Sequence, residues 1–189
     1  MPAYLALLRG INLAGRNKVP MAGLRQLAES LGHGDVATYI QSGNLIFSSP
    51  ATDTVALADA LEQGIADQLG VKAPVVVLSR AELAAAVADN PFTSEPDPRR
   101  VHAVFRRDER SPAAAEAVAR LQQKASDAGS KDQAVIAGRT LFLHTPDGFG
   151  RSDLAAQLFR SSTQAAGTAR NWATVTKLMT MLEAAGQDD

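Results

Sequence analysis

The sequence predicts an α+β fold: a tandem duplication of a ferredoxin-like βαββαβ unit, each half followed by an extra helix. Three observations support this. Short apolar runs alternate with stretches of helical spacing, the order of elements returns after a proline-dense stretch, and two turn sequences fall at matching points of the halves. The turns are Gln41-Ser42-Gly43-Asn44 and Ala137-Gly138-Arg139, each between short apolar runs.

Tyr4 to Leu8 is an apolar run stopped by Arg9 and Gly10, and reads as a buried strand. After Pro20, Met21, Leu24, Leu27, Ala28 and Leu31 recur at helical spacing up to Gly32. Val36 to Ile40 and Leu45 to Phe47 form the expected hairpin. A helix between Thr54 and Leu69 places Val55, Ala58, Leu61, Ile65 and Leu69 on one face and stops at Gly70. Val75 to Leu78 is the fourth strand, and Ser79 caps a short helix from Ala81 to Ala88.

Three prolines between Asn90 and Pro98 exclude regular structure there. The expected organisation is a first half 1–90, a linker 91–98 and a second half 99–189. The second half repeats the order: strand Val101 to Phe105, helix Ala113 to Ala125, strands Ala134 to Ile136 and Leu141 to Leu143, helix Asp153 to Phe159. A weak extended segment, Ser162 to Ala169, then leads into a helix from Trp172 to Ala185 whose apolar positions include Val175, Leu178, Met179 and Leu182.

Hydrophobic residues make up 46% and charged residues 21% of the chain, which is globular usage and excludes a disordered chain. With no cysteine there is no disulfide framework, thiolate metal site or cysteine nucleophile, and a reducing, cytoplasmic location is expected. The N-terminus shows no leader pattern, and no apolar run approaches the roughly 20 residues of a membrane helix. No membrane association is expected. His33, His102 and His144 lack metal-ligand spacing, so no metal site is expected, and surface or core roles are their default.

Net charge is −1, but its distribution is uneven. Residues 1–31 carry Arg9, Arg16, Lys18 and Arg25 against Glu29 alone; residues 50–98 are acidic and 99–131 basic again. Gly10 to Lys18 lies between a strand and a helix, where phosphate loops occur. Gly10 and Gly15 have phosphate-loop spacing, yet Arg16 and Asn17 stand where lysine and a hydroxyl residue belong, so nucleotide hydrolysis is not expected. A looser anion site fits better, with cations beside glycines that let a ligand approach the backbone. Gly150-Arg151-Ser152 offers a second cation beside a helix start, with Ser152 as its cap, and Asn171 is placed to cap the last helix.

Four blocks, Leu8-Arg9-Gly10-Ile11-Asn12, Tyr39 to Asn44, Gly150-Arg151-Ser152 and Arg170-Asn171-Trp172 through Leu178, resemble the signature of the bacterial domain of unknown function 1697 family. The resemblance implies a duplicated ferredoxin-like fold and no activity, substrate or catalytic residue. Ala14 departs from it, where glycine is frequent.

The expected site is therefore an anion-binding one around Arg9, Asn12, Arg16 and Lys18, with Ser42, Asn44, Arg151, Arg170 and Asn171 as further candidates. The partner is an anionic small molecule, or nucleic acid as a further reading; the sequence names no cofactor, catalytic residue or oligomeric state. An enzyme with its acid and base between the halves, and a protein-interaction scaffold, stay open as alternatives.

Overall fold

Because Ala3 to Leu8 is apolar at every position, it forms a central strand buried along its whole length, β1 (Ala3–Leu8). Around it stand α1 (Met21–Ser30), β2 (Gly34–Tyr39), β3 (Asn44–Ser48), α2 (Thr54–Leu69), β4 (Val75–Ser79) and α3 (Arg80–Ala88). The sheet order is β2-β3-β1-β4, antiparallel throughout, with Leu5 opposite Ile46 on one side and Leu78 on the other. The structure, a computed structural model, describes residues 1–108, 111–160 and 167–185.

The second sheet is built the same way. β5 (Val101–Phe105) is central, followed by α4 (Pro112–Asp127), β6 (Gln133–Ala137), β7 (Thr140–His144), α5 (Asp153–Arg160), β8 (Thr168–Asn171) and α6 (Trp172–Ala185), in sheet order β6-β7-β5-β8. The molecule is thus a mixed α+β protein with two four-stranded antiparallel sheets, six α-helices among the described residues, and two similar halves. Chain contacts divide it into two units, Met1–Ala85 with the residues from Lys177 onward, and Ala86–Thr176.

Each unit has its own core. In the first, Leu24, Leu27 and Ala28 of α1 and Leu57, Ala58, Leu61 and Ile65 of α2 pack on Tyr4, Ala6 and Leu8 of β1 and Leu45 and Phe47 of β3. In the second, Val118 of α4 and Leu154, Ala155 and Leu158 of α5 pack on Val104, Leu141 and Leu143. Caps fix the helix ends: the Asp53 carboxylate accepts from Val55 and Ala56, and Gly70 closes α2 at φ 68°. Ser79 and Glu82 form a reciprocal capping box at the start of α3.

The structure corrects three details. Val55 is 49% exposed and Leu57 takes its place in the core, because both positions fit a helical period when read against Ala58 and Leu61. Ile40 leaves the strand for the following turn at φ 50°, a conformation that β-branched residues avoid. The last strand is four residues, Thr168–Asn171; the expected extended stretch from Ser162 lies outside the described residues as far as residue 166.

Candidate functional site

The loop from Arg9 to Pro20 is folded on itself rather than slack. The Asn12 N–H donates to the Asn17 carbonyl at 3.0 Å and the Arg16 N–H to the Leu13 carbonyl at 2.9 Å, with Ala14 (φ 47°) and Gly15 (φ 78°) at the tip. Two consecutive left-handed residues are the signature of a primed hairpin turn. Gly10, Asn12 and Asn17 also have positive φ, and the Asn17 amide returns to the Gly10 carbonyl at 3.0 Å. Ala14 holds a conformation that costs roughly 1–2 kcal/mol outside glycine. The hydrogen bonds around it offset that strain.

Asn12 is the organiser. Its amide Nδ2 donates to the carbonyls of Val19 (3.0 Å) and Gln41 (2.8 Å), and its Oδ1 accepts the Val19 N–H at 2.9 Å. The loop is thereby closed at its base and tied to the turn between β2 and β3. In that turn Asn44, fully buried, donates through Nδ2 to the Tyr39 carbonyl and the Ser42 hydroxyl, both at 2.9 Å. Gly43, at φ 77°, lies against Leu8 and Ile11, where a Cβ would come within 2.7 Å of both side chains. Two blocks far apart in sequence, Arg9 to Asn12 and Gln41 to Asn44, thus form one framework.

Of the expected site residues, Asn12, Ser42 and Asn44 meet in this framework and hold it. Arg9 is half-buried, while Arg16 and Lys18 are exposed, and among the described residues none of the three side chains makes a hydrogen bond or ion pair. Leu13 in the loop (63% exposed) and Ile40 at the start of the turn (51%) are exposed apolar side chains.

The other three candidates belong to the second unit. Asn171 caps α6, its Oδ1 accepting the Thr174 N–H at 2.9 Å. Arg170 is half-buried on β8 and donates to the Ala169 carbonyl at 2.8 Å; burial pushes its guanidinium down to about 10, which leaves it charged at neutral pH. Arg151 is exposed at the end of a 3-10 turn, Phe149–Arg151. It lines a cleft of about 350 Å³ between the end of α4 and the start of α5.

The histidines have packing or pairing roles. His33 lies on Phe47 and is lowered by burial; His102 stacks on Phe149 at 4.2 Å and is pushed down to about 4 by burial. His144 meets the Glu95 carboxylate at 2.6 Å and stacks on Phe92. The Asp97 N–H, and then His144, hold Glu95 below the usual carboxylate range. Among the described residues no cluster of histidine and carboxylate side chains could hold a metal ion.

Sequence reasoning passed over Asp132 and Ser130, which line the cleft, and Glu95 within the proline-rich stretch. Gly129-Ser130 after the α4 helix marks a turn, but nothing local indicates that Asp132 is buried.

The sequence profile of the family described as "Protein of unknown function (DUF1697)" matches residues 1–142, which takes in the Arg9 and Ser42 blocks and stops before Gly150. Among solved structures, the chain is similar to the conserved bacterial protein SP0830 from Streptococcus pneumoniae. The identity is 26% over 96% of this chain and 98% of that one, with a TM-score of 0.71. No curated protein matches.

Proposed function

Since the chain belongs to the DUF1697 family, whose description assigns no activity, we propose a function from the site itself: the loop after β1 binds a phosphorylated or otherwise anionic ligand through Arg9, Arg16 and Lys18. One observation carries this reading. A loop with positive φ at Asn12, Ala14 and Asn17 is braced by Asn12 and Asn17, and beside that brace three cations have no intramolecular partner among the described residues. Strain held in place by surrounding hydrogen bonds concentrates at functional sites. A pre-shaped cationic loop also loses little entropy on binding. Asn12, Ser42 and Asn44 serve as its frame.

The site sits on the first of two copies of a ferredoxin-like unit, residues 1–90 and 99–189 joined through 91–98. The matching element orders and the matching strand orders, β2-β3-β1-β4 and β6-β7-β5-β8, support the duplication. A cysteine-free chain without a helix long and apolar enough to span a membrane, among the described residues, suits a cytoplasmic setting.

Thermal unfolding with inorganic phosphate, nucleotides, sugar phosphates and short RNA tests the reading. A ligand at about 100 times its dissociation constant adds about 2.7 kcal/mol of stability. The Arg9→Ala, Lys18→Ala double variant is expected to lose the effect while keeping its own melting temperature. No stabilisation by any anion, or equal stabilisation of the variant, contradicts the proposal. A steep loss of binding with salt for RNA alone would identify the ligand as nucleic acid.

A further inference from the structure

The cleft in the second unit contains a carboxylate in an unusual position. Asp132 is only 8% exposed, yet among the described residues no Lys, Arg or His pairs with it. Its Oδ2 accepts the Ser152 hydroxyl at 2.7 Å, and among the described residues its other carboxylate oxygen has no hydrogen-bond partner. A buried carboxylate without a cation is expensive, and proteins keep one where something else completes it.

The surroundings hold that carboxylate firmly. The Asp132 N–H donates to the Ser130 Oγ at 3.1 Å, and its carbonyl accepts Gln122 Nε2 at 3.0 Å. Gln122 Oε1 accepts the Ala134 N–H at 2.6 Å, which fixes the start of β6. Ser152, itself 6% exposed, accepts the Ala155 N–H at 2.9 Å while donating to Asp132. The acceptor therefore sits on helix and strand ends rather than on a free side chain.

The mouth of the cleft has the opposite charge. Lys124, Lys131 and Arg151 line it and are exposed, with Asp147 and Asp153 among them. A cleft of about 350 Å³ is within the range of small-molecule sites. An anion alone would suit the lysines and arginine but would be repelled by Asp132. A cation alone would suit Asp132 but would leave the basic mouth unused.

We propose that this cleft is a second binding site, for a small zwitterion whose ammonium donates to the open oxygen of Asp132 and whose carboxylate or phosphate pairs with Lys124, Lys131 and Arg151. The site is independent of the loop after β1. Its ligand class is that of amino acids and aminoalkyl phosphates. Charge-assisted hydrogen bonds at both ends give selectivity over molecules with only one charge.

Calorimetric titration of the whole chain with glycine, β-alanine, γ-aminobutyrate, ε-aminocaproate and phosphoethanolamine provides the test, with butyrate and butylamine as singly charged controls. At least one zwitterion is expected to bind saturably, with both controls about tenfold weaker or more. Asp132→Asn keeps an acceptor for the Ser152 hydroxyl and is expected to weaken the zwitterion about tenfold or more. Should Asp132→Asn fail to fold, the exposed pair Lys131→Ala with Arg151→Ala decides, with the same loss expected. Binding of butylamine as tight as that of γ-aminobutyrate, no saturable binding of any zwitterion, or affinity unchanged in the folded variants overturns the proposal.

Discussion

The loop after the first strand is tied to the neighbouring hairpin turn in both halves, but the donor lies on opposite sides. In the first half the loop residue Asn12 reaches the turn carbonyl of Gln41. In the second the turn residue Arg139 reaches back to the loop carbonyls of Arg106, at 3.2 Å, and Arg107. The same junction is therefore closed by a neutral amide in one unit and by a guanidinium in the other. Where a basic side chain is the tie, its charge is engaged inside the fold. Where asparagine is the tie, the side chains of Arg9, Arg16 and Lys18 make no hydrogen bond or ion pair among the described residues.

The two junctions should differ most at their turn glycines. Gly43→Ala puts a Cβ within 2.7 Å of Leu8 and Ile11 at φ 77°, and the combined overpacking and left-handed strain is expected to cost about 3–4 kcal/mol. At Gly138, φ 54° in the matching turn, an added Cβ would meet nothing within 4 Å among the described residues, so Gly138→Ala is expected to cost only about 1 kcal/mol. Urea midpoints of the two variants separate them, and equal losses would show that the first junction is no tighter than the second.

Acid separates the units next. His102 in the second unit is pushed down to about 4, so its folded pKa is depressed relative to the unfolded chain. The unfolded state takes up the proton first, and stability is retained above about pH 6.5 and falls by about 3 kcal/mol as pH drops to 4. His102→Leu is expected to flatten that limb in a series of denaturant titrations across pH. Glu95 is also depressed, so its contribution holds above the ordinary carboxylate range and is lost as pH falls through its lower folded value. Glu95→Gln is therefore expected to be less stable than the parent at neutral pH, with the difference closing as pH falls through that more acidic range, and a difference that stays constant into acid contradicts the assignment.

Smaller effects distinguish the ties themselves. Asn12→Ala removes three hydrogen bonds and is expected to cost about 2–3 kcal/mol, against about 1–2 kcal/mol for Arg139→Ala. Ala14→Gly relieves a left-handed alanine and is expected to stabilise by about 0.5 kcal/mol after the entropy of glycine is counted, readable as a small rise in melting temperature.

Much of the fold is legible because its signals are local. The α2 helix runs from Thr54 to Leu69 between an Asp cap and a Gly stop, and the α6 helix begins at Trp172 behind its Asn171 cap, as the residue pattern indicates. Val55 misled because helical periodicity leaves neighbouring positions equivalent until packing chooses between them. The proline-rich stretch is irregular, as its composition demands, but Glu95 within it grips His144 from 49 positions away. The same limit applies to the sites. Clustered cations and glycines made the loop after β1 visible, whereas Asp132 is exceptional only through its burial, which depends on α4, β6 and α5 folding together.

Whether the braced loop after β1 presents its cations to an anion can be read from an amide-resolved NMR titration with inorganic phosphate at constant ionic strength. The amides of Gly10, Gly15 and Lys18 are expected to shift together and saturate, and to stay still in the folded Arg9→Ala, Lys18→Ala variant. Shifts that never saturate, or that persist unchanged in the variant, would refute the anion site.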